Sequence, residues 1–302
     1  MDEQVNKLYP RRCARYSPKT KWYRMSNGDK MKIVEPLPTR FRILTWNVDF
    51  ATPQPIRRLK TALAYIQKDV FLCKSGEAPD PCCILLQEVH ARAFQTILDN
   101  EWIRKHFAIT PVTPERWPNA SDYGNVTLVS HSIPACHAWS LEFANSRMSR
   151  NALLVDLKLS SPDRDNAPVT IRVANTHLES LSEGAVARPL QMVLIAKLLK
   201  EKMLHGGIVG GDMNAIGPSD VPIVADAGLV DTWGGDDEDE DGYTWGFQPT
   251  SRYGPGRLDK ILITPDSGFV IEEPKKVGVG VRTADGEWTS DHYGLLTTVS
   301  VI

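Results

Sequence analysis

Cysteine is scarce: five in 302 residues, with no C-x-x-C pair among them. That pattern excludes a zinc ribbon or dithiol redox motif. The odd count and the adjacent Cys82 and Cys83, which would face opposite ways on a strand, argue against a disulfide framework. All five are expected to be reduced and to fill core. Long apolar runs are also missing; none approaches the ~20 residues that span a bilayer. The opening stretch, MDEQVNKLYPRRCARYSP, lacks the apolar segment of a secretory signal. No membrane partner is expected, and the location expected is nucleus or cytoplasm. Nor is there an excess of charge of one sign. A net charge of −2 rules out polyanion binding driven by bulk charge. No internal repeat is present.

What the chain does have is ordinary globular composition, 42% hydrophobic and 24% charged, with its charge unevenly placed. Residues 1–40 carry ten Lys or Arg against four Asp or Glu and read as a basic N-terminal arm. Residues 236–241, DDEDED, read as a solvated loop that repels itself open. From Phe41 the pattern changes. Segments 41–48, 81–89, 125–130, 152–160, 169–177, 207–214, 257–264 and 292–302 have the apolar or alternating character of strands. Two helices fall between them. Residues 56–68 set Ile56, Leu59, Leu63 and Ile66 on one face, and 188–204 set Leu190, Leu194 and Leu198 on another. The reading is an α/β fold of two sheets packed face to face with helices outside, formed by one domain over 41–302.

The strands share a feature. Each ends in side chains able to bind a metal or a phosphate: Asn47 after LTW, Glu88 after LLQ, His177 after ANT, Asp212 and Asn214 in GGDMN, Asp259 in RLDK, and Asp291 and His292 in SDH. Any one alone is an ordinary turn or surface residue. Six coincidences at strand ends of one sandwich point to one pocket. Residues two apart on a strand share a face, so Asp212 and Asn214 are expected to project together. A carboxylate there can orient or deprotonate a water, and an amide can donate to a phosphate oxygen. Glu88 suits Mg2+, which prefers oxygen ligands. Asp259 beside His292 would favour an imidazolium, which can neutralise charge growing on phosphorus-bound oxygens. Water is the expected nucleophile.

TWN, LQE, GDMN and SDH, in this order, resemble the endonuclease/exonuclease/phosphatase superfamily over roughly residues 41–302. NTHLES (175–180), Arg188, YTW (243–245) and SDHYGLL (290–296) are similar to its branch that hydrolyses 5′-tyrosyl-DNA phosphodiester bonds. The resemblance implies a four-layered α/β sandwich and a Mg2+-dependent enzyme, with Mn2+ able to substitute. The implied reaction frees a topoisomerase tyrosine or peptide from a DNA 5′ end and leaves a 5′-phosphate, in DNA repair, with the enzyme acting as a monomer. It further implies that Glu88, supported by Asp291, holds the metal and that Asp212 activates water. Asn47 and Asn214 would position phosphate or nucleophile, and His292, oriented by Asp259, would stabilise the transition state. His177, Ser180 and Arg188 would contact phosphate, and Trp245 would stack on DNA. Two departures stand out. Leu181-Ser182 replace a Thr-Arg pair of that branch, and the segment before Phe41 is too short for the ubiquitin-binding module of the vertebrate enzymes. The alternative is another substrate of the same superfamily: abasic DNA, RNA or inositol phosphate.

Overall fold

The computed structural model describes residues 5–25, 36–236 and 238–302. Parts of the basic segment (1–4 and 26–35) and Asp237 of the acidic run lie outside the described residues. Two sheets form the frame. The first runs from edge to edge through β1 (Lys7–Arg11), β8 (Ala135–Glu142), β9 (Asn151–Ser161), β10 (Ala167–His177), β11 (Gly206–Asp212), β13 (Asp259–Ile263) and β12 (Val230–Asp231). The second runs through β14 (Phe269–Ile271), β16 (Gly294–Val301), β4 (Arg40–Asn47), β5 (Cys82–His90), β7 (Tyr123–Ser130), β6 (Phe107–Thr110), β2 (Ala14–Ser17) and β3 (Trp22–Met25). A further strand, β15 (Lys275–Val277), also pairs with β16.

Strand alternation builds the layers. On β4, Phe41 and Ile43 face the other sheet and join Cys83, Leu85, Val155, Val173, Ile208 and Ile261 in the core between the sheets. Leu44 and Trp46 face outward, where α1 (Pro55–Tyr65), α2 (Phe94–Asp99) and α3 (Glu101–His106) cover them. On the far side, α4 (Ala187–Leu199) and α5 (Ile223–Asp226) cover Leu154, Ala174, Val209 and Leu262. The result is the expected four-layered sandwich. The five cysteines are free, and four of them are buried. Among the described residues, no helix is long and apolar enough to cross a membrane.

Both expected helices form, but their buried faces differ from the periodic reading. Ile56 is 53% exposed, and the buried face of α1 holds Arg58, Leu59, Ala62 and Leu63. In α4, Leu190 is 56% exposed, while Met192, Ile195 and Leu199 are buried. That helix is apolar almost all round, so leucine spacing did not identify the covered side. It ends at Leu199, short of the expected 204.

The described part of the basic segment is woven into both sheets. β1 pairs antiparallel with β8, and β2 pairs antiparallel with β6. Between them the chain crosses from one sheet to the other, burying Cys13 in the inter-sheet core and Ala14 under the helices. It thereby covers one edge of each sheet, where open N–H and C=O groups would invite foreign strands.

Candidate active site

Toward one end of the sandwich the inward stripe of each central strand turns from apolar to polar. On β4 the order is Ile43, Thr45, Asn47; on β10 it is Val173, Asn175, His177; on β11 it is Ile208, Gly210, Asp212. All are at most 2% exposed or carry no side chain. Buried amides must be paired. Gln87 Nε2 donates to Thr45 Oγ1 (3.0 Å) and Asn175 Oδ1 (2.8 Å), and Asn175 Nδ2 donates to the carbonyls of Leu86 and Val126. This hydrogen-bonded layer is the floor on which the site rests.

The paired glycines of GGDMN belong to that floor. A Cβ on Gly210 would lie 2.9 Å from Leu85 Cδ1, so the glycine lets the sheets close. Gly211 has φ 153°, and a Cβ there would lie 1.8 Å from the Thr176 carbonyl oxygen. The strand ends at Asp212. Asn214 does not share its face through strand periodicity: it lies past the strand with φ 48°. Its backbone N–H donates to Asp212 Oδ1 (2.9 Å), and its Nδ2 donates to the Leu178 carbonyl (3.0 Å).

Asp212 stands at the centre. Asn47 Nδ2 donates to its Oδ2 (3.0 Å), His177 Nε2 lies 3.3 Å from the same oxygen, and His292 Nε2 lies 3.8 Å away. Burial raises the Asp212 carboxyl to about 6, against the pull of the His292 charge. For His292, burial alone would lower the pKa, but the carboxylates of Asp259, Asp291 and Asp212 outweigh it and hold the ring well above its ordinary value. His292 Nδ1 meets Asp259 Oδ2 at 2.8 Å. The Asp259 backbone N–H in turn donates to Thr244 Oγ1 (3.1 Å). The SDH turn is tied down by the Ser290 hydroxyl donating to the Asn47 carbonyl (2.6 Å) and by Trp46 Nε1 donating to the His292 carbonyl (3.0 Å).

The second histidine has the opposite character. Burial, then Arg150 and His292, push His177 well below its ordinary pKa. Arg150 Nη1 lies 2.8 Å from His177 Nδ1. A guanidinium only donates, so Nδ1 is the acceptor and the ring proton sits on Nε2, which lies 3.3 Å from Asp212 Oδ2. Arg150 also donates to Ser180 Oγ (2.6 Å), and its guanidinium carbon lies 5.3 Å from the Tyr123 ring centroid. Sequence reading missed this arginine, because nothing near residue 150 marks it.

Glu88 reaches the site through an irregularity. β5 bulges between Leu86 and Val89, and Glu88 adopts φ 56°. Strict alternation would send it outward with Leu86; the bulge re-aims it. Its Oε2 accepts the Phe50 N–H (3.0 Å). Its Oε1 lies 3.7 Å from His177 Nδ1, which already accepts from Arg150. Burial raises the carboxyl to about 7, with Asp291 contributing. Asp291 Oδ2 accepts from Trp245 Nε1 (2.9 Å), so the indole lies against the acidic site. Asp212, Asp259 and His292 also lie close enough to form a ligand set. Glu88 and Asp291 are further carboxylates at the site that could hold a hard cation.

One expected residue is elsewhere. Arg188 is 1% exposed, and its guanidinium is committed to Asp220 (2.7 and 2.8 Å) and to the carbonyls of Glu179 and Leu181. It ties α4 to the turn at Asp220 and directs no N–H toward the pocket. Ser180 stands beside Arg150, and the remaining predicted side chains converge on Asp212, Glu88 or His292.

A family profile described as Endonuclease/Exonuclease/phosphatase matches residues 44–292. The chain belongs to that family. It is 25% identical over 277 residues to tyrosyl-DNA phosphodiesterase 2 of Mus musculus; the match covers 86% of this chain and 66% of that protein. The fold is similar to the crystal structure of TDP2 from C. elegans, with TM-score 0.66, 22% identity, and coverage of 88% of this chain and 77% of that one. It is equally similar to D. rerio TDP2 complexed with a single-strand DNA product, with TM-score 0.66, 19% identity, and coverage of 87% and 100%.

Proposed function

We propose that the chain is a Mg2+-dependent phosphodiesterase that hydrolyses the 5′-phosphotyrosyl bond between DNA and a protein tyrosine, leaving a 5′-phosphate. One observation carries the chemistry: a buried carboxylate with a raised pKa, Asp212, stands 3.8 Å from a histidine held as imidazolium, His292. At neutral pH Asp212, raised only to about 6, is still mostly ionised and can accept a proton, while His292 keeps its own, so the two can divide proton acceptance and charge neutralisation between them. The likeness to tyrosyl-DNA phosphodiesterase 2 and to a homologue bound to single-strand DNA supports the choice of substrate.

The residues fit a hard dication. Glu88 Oε1 meets no donor there, and a carboxyl raised to about 7 by burial is the charge a cation would compensate. Glu88 and Asp291 would hold it, with water and phosphate oxygens completing the set. Bound there, it would draw charge from the phosphate oxygens. Asp212 accepts a proton from the attacking water, kept in orientation by Asn47 and by the Asn214 N–H. His292 donates toward a phosphate oxygen as charge grows, with Asp259 holding the ring. His177, neutral and fixed by Arg150, keeps its Nε2 beside Asp212. Tyrosine, with a pKa of about 10, leaves as phenolate and needs little help from an acid.

The test is a substrate panel with Mg2+: 5′-phosphotyrosyl oligonucleotide, abasic duplex, poly(A) RNA and inositol phosphates. Tyrosine release leaving a 5′-phosphate, at least about tenfold faster than abasic cleavage (~1.4 kcal/mol in barrier), is expected. Preference for any other member of the panel would overturn the substrate assignment. Full activity in EDTA would overturn the metal.

A further inference from the structure

Arg58 is a charged side chain on the buried face of α1, 1% exposed. A guanidinium so buried is costly unless its donors are met. They are met by two separate segments. Nε donates to the Pro53 carbonyl (3.1 Å) and Nη1 to the Val48 carbonyl (3.2 Å). Nη2 donates to the carbonyls of Thr52 (2.9 Å) and Asp49. Nη1 also reaches the Thr289 carbonyl (3.1 Å) and lies 3.2 Å from Asp49 Oδ2.

The two segments carry the two acidic sides of the site. The 48–53 turn holds Phe50, whose N–H is bonded to Glu88 Oε2. Asp49 within it stands at φ 53°, and Gln54, immediately after it, at φ 60°. Thr289 directly precedes Ser290, Asp291 and His292. We propose that Arg58 is a positioning residue: its planar fork sets the spacing between the Glu88 side and the Asp291 side, and thereby the affinity of the dication site. This rests on the metal reading given above. A lysine keeps the charge but presents its donors from one point, so it cannot bridge acceptors spread around a planar fork.

The experiment is titration of the purified full chain with Mg2+, followed by calorimetry and by tryptophan fluorescence, without substrate. Wild type, Arg58→Lys and Leu63→Val are compared, Leu63 being a core residue of the same helix. Arg58→Lys is expected to weaken Mg2+ binding about tenfold, and added Mg2+ should restore part of its kcat. Leu63→Val should lower Tm and leave the Mg2+ midpoint within about twofold. An unchanged midpoint in Arg58→Lys, or an equal shift in Leu63→Val, overturns the positioning role. No binding to wild type overturns the metal reading itself, a failure visible before any variant is compared. If Arg58→Lys does not fold, Arg58→Gln, which keeps two N–H donors, carries the same comparison.

Discussion

His292 Nδ1 and Asp259 Oδ2 meet at 2.8 Å between side chains that are 6% and 1% exposed. Asp259 is the nearest of the three carboxylates that keep the ring charged despite its burial. Activity that needs the imidazolium is complete below the raised pKa and is lost as pH rises through it. Asp259→Asn removes the nearest supporting charge and keeps a similar shape. The alkaline limb of the kcat profile should therefore move to lower pH by about one unit, the scale of one close charge. At neutral pH, kcat should fall far more than KM rises, because the contact acts on the transition state. A pH series of kcat for both proteins checks this; coincident alkaline limbs would remove Asp259 from the role.

Arg188 and Asp220 form a bidentate pair, each about 1% exposed. Removing one partner of a buried pair leaves a charge stranded, at a cost of about 3–5 kcal/mol. Arg188→Met should lower thermal stability by that order, and Asp220→Asn by less, since an amide still accepts one N–H. If Arg188 served as a phosphate clamp instead, its loss would raise KM with little change in Tm. Thermal unfolding and steady-state kinetics on one preparation separate these outcomes.

Much of the site was legible because strand ends print their chemistry locally. Asn47, His177, Asp212 and Asp259 sit where alternation and apolar runs put them, and His292 lies just before β16, which begins at Gly294. The failures share a cause, which is that partners distant in sequence decided them. Arg188 read as a free cation because Asp220 lies 32 positions on. Arg150 was invisible because its target, His177, belongs to another strand. Glu88 reads into the site from its strand-end position, against strict alternation; pairing with β7 shows the bulge that turns it in. Leu190 and Ile56 looked buried because periodicity locates an apolar face but not its cover. β1 is a short, polar edge strand that pairs only with β8, and β2 is a short strand held between β6 and β3, so neither shows itself without its partners.

Residues 5–17 also make a stability prediction. Deleting 1–17 uncovers the edges of β8 and β6 and removes Cys13 from the inter-sheet core. Loss of Tm together with concentration-dependent association is expected, seen by thermal unfolding and size-exclusion chromatography. A contribution of the basic charges to DNA binding is tested separately. Neutralising Lys7 and Arg12 to glutamine removes the charge without setting a second carboxylate opposite Glu142, and a flatter salt dependence of affinity would show that role. A deletion that keeps the Tm and the elution volume of the wild type would refute the strap.

His131 sets a pH window for stability. It opens the turn after β7 and is half-buried; its backbone N–H donates to the His106 carbonyl (2.8 Å), and its Nε2 has no hydrogen-bond partner. Burial, with help from Arg15, lowers its pKa to about 4. An unfolded histidine titrates near 6.5. Between those values the unfolded state holds the extra proton, so stability declines as pH falls from about 6.5 and the loss levels off below about 4. By pH 5 this one group accounts for about 2 kcal/mol. His131→Gln, which cannot titrate, should lose about that much less stability than wild type between pH 7 and pH 5. Carboxylates that titrate over the same range act equally in both proteins and cancel in the difference. Urea unfolding at the two pH values supplies the four free energies needed, and equal losses in the two proteins would mean that His131 is not what senses acid.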